Sequence, residues 1–556
     1  MSIDAKERTA DVAIVGAGPV GLTLANFLGC YGISTLVIER GEALIDYPRG
    51  VGMDDECLRS FQAIGLVEEV RKHTTPDQWL KFLTASGRCF ASVEPRTREF
   101  GWPRRNAFIQ PLVDRVLLEA LGRFSNADVL FGHTLTDFSE DSDGVALTVS
   151  DGRGEARKIR ARFLVGCDGG RSIVRKIMNV GFEGETESTR WVVIDVRNDP
   201  IGVPDAYLYC IPSRPFVSIA LPHGIRRLEF MVLGDETEEQ LCAPGGLHRL
   251  LRQVIPKPEQ ADIIRARVYT HHARLASSFR IGRALLAGDA AHLMPVWQGQ
   301  GYNSGIRDAN NLAWKLAMVA RGAADAALLD SYDAERRTHA AAMISISVTA
   351  GRIFSPTRRW VAALRDGLTW VLNAIPAVKN YVLQMRFKPM PRYVRGAVIH
   401  DAPGRIPATS PVGRLFIQPS VTTVSGETLK LDDAVGAWFS IVAWGSDPRR
   451  HMASETLSFW KAIGARFVLV MPTVQLNGPD VVQHDDGLLV LGDAGGDLKG
   501  WFGSNRASFV VLRPDRFVAA SAGSLQMIDD VTRRMKLALH AAGLRPCRSG
   551  SRCEPR

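Results

Sequence analysis

Three stretches carry residue types and spacings suited to holding a dinucleotide: Gly16-Ala17-Gly18-Pro19-Val20-Gly21, Cys167-Asp168-Gly169-Gly170-Arg171-Ser172, and Gly288-Asp289-Ala290-Ala291-His292 with its continuation to Gly305. In the first, Gly16 permits a tight turn, Gly18 lets backbone approach a diphosphate, and Gly21 lets a helix pack on a strand. A helix opening at Pro19 offers free N–H groups and the positive end of its dipole to phosphate. Glu39, followed by Arg40, stands at the spacing of an acid that hydrogen-bonds a ribose hydroxyl. Taken alone, this motif does not separate nicotinamide from flavin dinucleotides.

The elements that must position these turns are legible around them. Val12-Ala13-Ile14-Val15 reads as a buried strand, Leu22 to Leu28 as the helix behind it, and Ser34 to Ile38 as the next strand. Phe163-Leu164-Val165-Gly166 runs into the second glycine turn, and Ala284-Leu285-Leu286-Ala287 into the third, so residues 1–188 and 275–395 form one doubly wound domain in two parts. Between them, residues 189–274 are rich in β-branched, aromatic and proline residues, predicting an inserted antiparallel sheet. Ile306, Ala309, Leu312, Ala313, Leu316, Ala317 and Ala320 recur at helical spacing, which predicts a helix starting between Gly301 and Gly305 with its N-terminus toward the cofactor. Pro389 and Pro391 mark a boundary, residues 396–540 form a separate unit with strands at 439–444, 466–470 and 508–512, and residues 541–556 read as a frayed tail.

Together the three stretches resemble the single-component FAD-dependent aromatic hydroxylases with one dinucleotide-binding domain. The resemblance extends to Ile109-Gln110-Pro111-Leu112-Val113-Asp114 and to Tyr47-Pro48-Arg49-Gly50. It implies an α/β fold: a Rossmann-like FAD-binding domain, an inserted antiparallel β-sheet substrate domain, and a C-terminal thioredoxin-like domain. It also implies that Asp289 holds the ribityl chain of FAD, with Gly288 in the same turn, and that Asp168 and Gly169 lie beside the diphosphate and the nicotinamide approach. Gln110 and Arg49 are expected near the cofactor, and Pro295, Gly299, Gly301 and Asn303 along the flavin ring. Pro295 and Trp297 are candidate cavity walls, with core packing an equal reading for Trp297. For His292 a structural hydrogen bond is favoured over an acid or base role.

The implied reaction places a second hydroxyl beside the first on the ring of a phenolic phenylpropanoid acid, with NADH and O2 as co-substrates. No side chain activates oxygen, so no catalytic acid or base is assigned, and the protein supplies orientation and dryness. Tyr207 and the cations Arg190, Arg214, Arg226 and Arg227 are the substrate candidates in the inserted sheet. No second GxGxxG domain is present, so nicotinamide must visit a shared, transient site. The alternatives are a related phenolic hydroxylase with another substrate and a flavin-loaded interaction module.

Bulk properties agree with a globular chain of two or three domains. Of the 556 residues, 46% are hydrophobic and 23% charged, which excludes a disordered chain. Lys plus Arg exceeds Asp plus Glu by nine, 68 against 59, but the charges are dispersed, and nucleic acid is not expected as a partner. No apolar run is long enough for a bilayer, the polar N-terminus lacks a signal core, and a cytoplasmic location is expected. A homo-oligomer is left open. The eight cysteines show no metal or disulfide spacing; Cys167 reads as a packing residue. With no cysteine between Cys242 and Cys547, the C-terminal unit lacks Cys-x-x-Cys and is expected to be redox-inert.

Overall fold

Five parallel strands give the first sheet its order, Ala284–Leu286, Ala156–Gly166, Arg8–Val15, Thr35–Ile38 and Ala127–Leu130. In this computed structural model, residues 8–400, 407–476 and 487–541 are described, so the tail expected beyond 541 lies outside the described residues. Val15 is in register with Gly166 and Ile38, and Gly166 with Leu286. The three glycine turns therefore leave neighbouring strands at one carboxyl edge, where open α/β sheets bind ligands. Backbone bonds continue past the strands and lock the turns together: Gly16 N donates to Ile38 O at 2.8 Å, Cys167 N to Val15 O at 2.7 Å, and Ala287 N to Gly166 O at 2.9 Å.

The inserted sheet has eight strands and is wider than the segment that predicted it. Its order is His292–Leu293, Ile263–Ala276, Phe182–Val196, Ile225–Met231, Phe216–Leu221, Ala206–Tyr209, Leu80–Leu83 and Cys89–Val93. The last two come from the first part of the chain, and Leu80–Leu83 runs parallel to Ala206–Tyr209. One face carries Val192, Ile194, Phe216, Leu228 and Phe230 against the helix Pro244–Leu251. The other carries Phe82, Trp191, Leu208 and Met231 and receives Trp297 and Phe354 from the flavin-domain side.

The predicted helix runs from Gln300 to Ala320 and begins at Gly299, whose φ of 62° is a left-handed conformation that glycine adopts without strain. It packs against the first helix, Pro19–Cys30, and against Asp330–Phe354. Beyond it, the described residues between 413 and 541 build a seven-stranded sheet. Its expected strands are observed as Ser440–Trp444, Arg466–Pro472 and Phe509–Leu512.

This last unit docks through buried charge. Glu335 accepts from both terminal nitrogens of Arg513 at 2.7 and 2.9 Å, from Lys315 at 2.8 Å and from Asn311 at 2.7 Å. Asp515 takes Arg513 Nε at 2.9 Å. A second tie joins Arg59 to Asp432 at 2.6 Å, with both side chains buried. Among the described residues, no helix is long and apolar enough to cross a membrane.

Candidate active site

The cradle is built by turns so close that side chains would not fit. A Cβ on Gly16, whose φ is +107°, would lie 2.5 Å from Cys167 O, and one on Gly21 would lie 2.0 Å from Gly16 O. By contrast, a Cβ on Gly18 or Gly169 would meet nothing within 4 Å, so backbone there faces open space. Pro19 is the first residue of the helix and Gly18 its N-cap. Asp168 accepts from Ile173 N and Val174 N at 2.7 and 3.2 Å, and its second oxygen is buried without a partner. Burial pushes the carboxyl up, against those bonds. Arg175 ties this turn to the third, donating to Gly170 O at 2.8 Å and Ala290 O at 2.7 Å. Cys167 is a free thiol pushed up by burial, in keeping with a packing role.

Glu39 braces the first turn before any ligand does. Its carboxylate accepts from Ala17 N and Gly41 N, each at 2.8 Å, while Arg40 is exposed beside it. At the opposite end of the cleft, Arg49 reaches Asp289 at 3.2 Å, joining two residues 240 apart in sequence. Gln110 sets the loop that carries Arg49: its oxygen accepts from Arg49 N and Gly50 N at 3.1 and 2.8 Å, and its nitrogen donates to Asp114 at 3.1 Å. These open and polar features along one carboxyl edge fit an FAD.

Burial raises the Asp114 carboxyl to about 7, against the pull of Gln110. The folded protein keeps a proton that the unfolded chain releases near pH 4, so this stabilisation is full below about pH 4 and is lost as pH rises through about 7. Asp114→Asn is expected to flatten that dependence, seen as a smaller fall in melting temperature between pH 5 and 8 than in the wild type. Identical falls would show that Asp114 does not carry it.

The long helix is anchored where it meets the cleft. Asn303 accepts from Asp54 N at 3.0 Å and donates to Gly52 O and Gly299 O at 3.1 and 2.8 Å, so its side chain ties the helix start to the 52–54 segment. His292 makes the structural bond expected of it, to Asp308 at 2.7 Å. Asp308 also accepts from Gly288 N and Arg336; burial would raise its carboxyl, but His292 and Arg336 lower it to about 2. Asp54, Asp55 and Glu56 lie close enough together to suit a metal ion, yet Arg307, Lys388 and Arg104 already pair with them. Asp308 and Arg336 carry no local signal in the sequence, because the bonds they make to His292 and to each other close only in the fold.

Strand parity sorts the substrate candidates. Ala206 and Leu208 belong to the face that meets Trp297, which places Tyr207 and Tyr209 on the opposite face, so Tyr207 does not line the cleft. Arg226 shares the side of Leu228 and Phe230 and is spent on Asp199 at 2.6 and 2.7 Å. Arg214 pairs with Glu236 at 2.7 Å, and Arg190 donates to the Glu236 carbonyl at 3.0 Å. These three are therefore corrected from substrate ligands to structural cations. Arg227 does face the cleft, but Asp195 takes it at 2.8 and 2.9 Å, and it also donates to Pro48 O at 2.8 Å. Trp297 meets Trp191 edge-on at 5.1 Å and His271 at 5.8 Å. It also abuts Gly351, where a Cβ would lie 2.4 Å from its indole nitrogen, which is a packing contact. Pro295, beside it, is buried.

A dinucleotide cradle on one parallel sheet, faced by a second sheet with an aromatic inner surface, defines a flavoprotein monooxygenase. Residues 9–347 match the family described as FAD binding domain, and residues 413–538 the HcaD C-terminal domain. The chain belongs to the family of 3-(3-hydroxyphenyl)propionate/3-hydroxycinnamic acid hydroxylases. It is 54% identical over 518 residues, 93% of each chain, to the 3-(3-hydroxy-phenyl)propionate/3-hydroxycinnamic acid hydroxylase of Shigella sonnei (strain Ss046). Identity to the same enzyme of Klebsiella pneumoniae (strain 342) is 55%, again over 93% of each chain. The fold is similar to that of the flavin-dependent monooxygenase PieE in complex with FAD and substrate, with a TM-score of 0.82 at 21% identity over 97% of this chain and 100% of the other.

Proposed function

We propose that the protein uses NADH and O2 to hydroxylate 3-(3-hydroxyphenyl)propionate, and 3-hydroxycinnamate, at the ring carbon beside the existing hydroxyl, in the degradation of aromatic acids. The observation that carries this reading is the likeness, over 93% of both chains, to relatives named for those two substrates. When bound, FAD supplies hydride acceptance and oxygen activation. The chain's own residues bind, orient and keep the site dry. In this reading Gly16, Gly18, Pro19 and Gly21 take the diphosphate and Glu39, next to Arg40, a ribose hydroxyl. Arg49 and Asp289 take the ribityl chain, Asp168 and Gly169 border the nicotinamide approach, and Gln110 holds the Arg49 loop. Pro295, Gly299 and Gly301 border the flavin ring, with Gly288 and Asn303 behind them. Trp191, Trp297 and Tyr269 present apolar surface to the substrate ring and exclude water, which would divert oxygen to hydrogen peroxide.

The domain bounds 1–188 with 275–395, 189–274 and 396–540 belong to the same reading, as do the cytoplasmic location and a homo-oligomer. A thioredoxin-like C-terminal unit is supported by the strand order Arg466–Pro472, Ser440–Trp444, Phe509–Leu512, Val518–Ala522, with the first two parallel and the others antiparallel. The helix Ser454–Ala462 connects the parallel pair. Without a Cys-x-x-Cys pair this unit assists assembly instead of redox chemistry.

Because the described residues hold no second dinucleotide domain for nicotinamide, the flavin is expected to be reduced slowly by NADH alone and at least tenfold faster with 3-(3-hydroxyphenyl)propionate. Stopped-flow bleaching of the flavin, with product mass and peroxide assays, checks this. Phenylpropionate, whose ring lacks the hydroxyl that pushes electrons, should give peroxide in place of diol. Equal bleaching with and without every phenolic acid, or efficient hydroxylation of phenylpropionate, would reject the reading.

A further inference from the structure

With all four expected arginines committed elsewhere, Arg265 and Arg267 stand on the cleft side of the inserted sheet with no ion pair of their own among the described residues. Arg265 lies opposite Asp195 in strand register, on the face that carries Trp191 and Tyr269. Its guanidinium stacks over the ring of Tyr47, with Cζ 4.3 Å from the centroid, and Arg267 approaches the same ring at 5.9 Å. Arg265 Nε and Nη1 are buried without an acceptor, which costs free energy unless something offsets the charge. Asp195, the acid facing it, already gives both oxygens to Arg227. Burial, more than any neighbour, weakens its hold on its own proton; Asp195 strengthens that hold, and the cations Arg227 and Arg267 weaken it again.

The place is built and open at once. Arg227 fixes the Tyr47 loop by donating to Pro48 O at 2.8 Å, so the ring under Arg265 is held by the sheet itself. The strand Ile263–Ala276 pairs on its outer side with His292–Leu293 at Arg274 and Leu275, leaving residues 263–267 as a free edge. Arg267 is exposed there. A guanidinium stacked on an aromatic ring keeps its N–H fork in plane, the geometry that matches a carboxylate or a phosphate.

We propose that Arg265 and Arg267, on Tyr47, form an anion-binding site at the mouth of the cleft that receives an anionic group of a reactant. The group is either the carboxylate of the phenolic acid or the diphosphate of the nicotinamide dinucleotide. This deepens the hydroxylase reading and rests on it. Neither source requires Arg265 to touch the reacting atoms.

The test uses the FAD-loaded full chain as wild type, Arg265→Gln and Arg265→Lys. The dissociation constant for 3-(3-hydroxyphenyl)propionate is read from flavin absorbance, that for NADH from anaerobic flavin reduction, and that for inorganic diphosphate by calorimetry. Arg265→Gln is expected to weaken one of the two reactants at least tenfold, with Arg265→Lys recovering part of the loss. Weakening of the acid alone, with its neutral alcohol analogue unchanged, assigns the carboxylate; weakening of NADH and of diphosphate assigns the dinucleotide. If neither changes by threefold in a folded, yellow variant, or if FAD is lost while reactant binding per flavin is unchanged, the proposal is overturned. Should wild type hydroxylate none of the phenolic acids, the hydroxylase reading fails, while diphosphate binding lost in Arg265→Gln would still report the anion site.

Discussion

Glu335→Leu is expected to destabilise the folded protein by about 3–5 kcal/mol, the usual cost of breaking a buried ion pair from one side. Glu335 is fully buried and collects four donor contacts, from Arg513, Lys315 and Asn311, as well as Ala397 N at 2.9 Å. Burial would raise its carboxyl, but Arg513 and Lys315 hold it at about 2, so it is ionised throughout the working range. Leucine fills the volume and leaves a lysine and an arginine without their main acceptor, with Asp515 bonded to the arginine and Asn311 to the lysine as what remains. Thermal melting and limited proteolysis of the C-terminal unit measure the loss. Melting unchanged from wild type would show that the cluster contributes nothing to docking.

Gly21→Ala is expected to cost more than tenfold in FAD occupancy, or above about 1.4 kcal/mol. The added carbon would sit 2.0 Å from Gly16 O, and Gly16 cannot retreat because its own Cβ position is 2.5 Å from Cys167 O. Helix, first turn and second turn would have to move apart together, which opens the diphosphate cradle. Gly18→Ala makes the paired control. A methyl there meets nothing in the protein within 4 Å, so the variant should fold normally, and any flavin it loses reports direct approach of the cofactor to that backbone. A Gly21→Ala protein that purifies as yellow as wild type would sink this account.

What the sequence disclosed about the site was local chemistry. A glycine turn announces itself within six residues, and the three turns meet because each ends a strand of one parallel sheet. The long helix was legible for a similar reason, since its apolar stripe is periodic, yet Lys315, outside that stripe, is buried too and finds Glu335 twenty residues on. The cations of the inserted sheet misled because their partners are not local. Asp199, Glu236 and Asp195 claim Arg226, Arg214 and Arg227 across turns and strand pairings that composition does not encode. Parity within a strand sorts the faces: apolar Val192, Ile194 and Val196 mark one, and the alternation Arg265, Arg267, Tyr269 marks the other. The edge strands Leu80–Leu83 and Cys89–Val93 were invisible as parts of that sheet because their pairing partner lies far along the chain, as Lys81 and Asp205, 124 residues apart, show.

The buried cluster around Glu335 also sets a timetable for a ribosome. Arg513 lies 178 residues after Glu335, a separation that takes on the order of ten seconds to translate. Until it emerges, Glu335 and Lys315 face each other without the arginine that completes them, on the packed helices Asp330–Phe354 and Gln300–Ala320. The nascent flavin half is thus unfinished until the far end of the chain arrives, and a ribosome that stops early releases a product whose defect lies in its centre, well away from the cut.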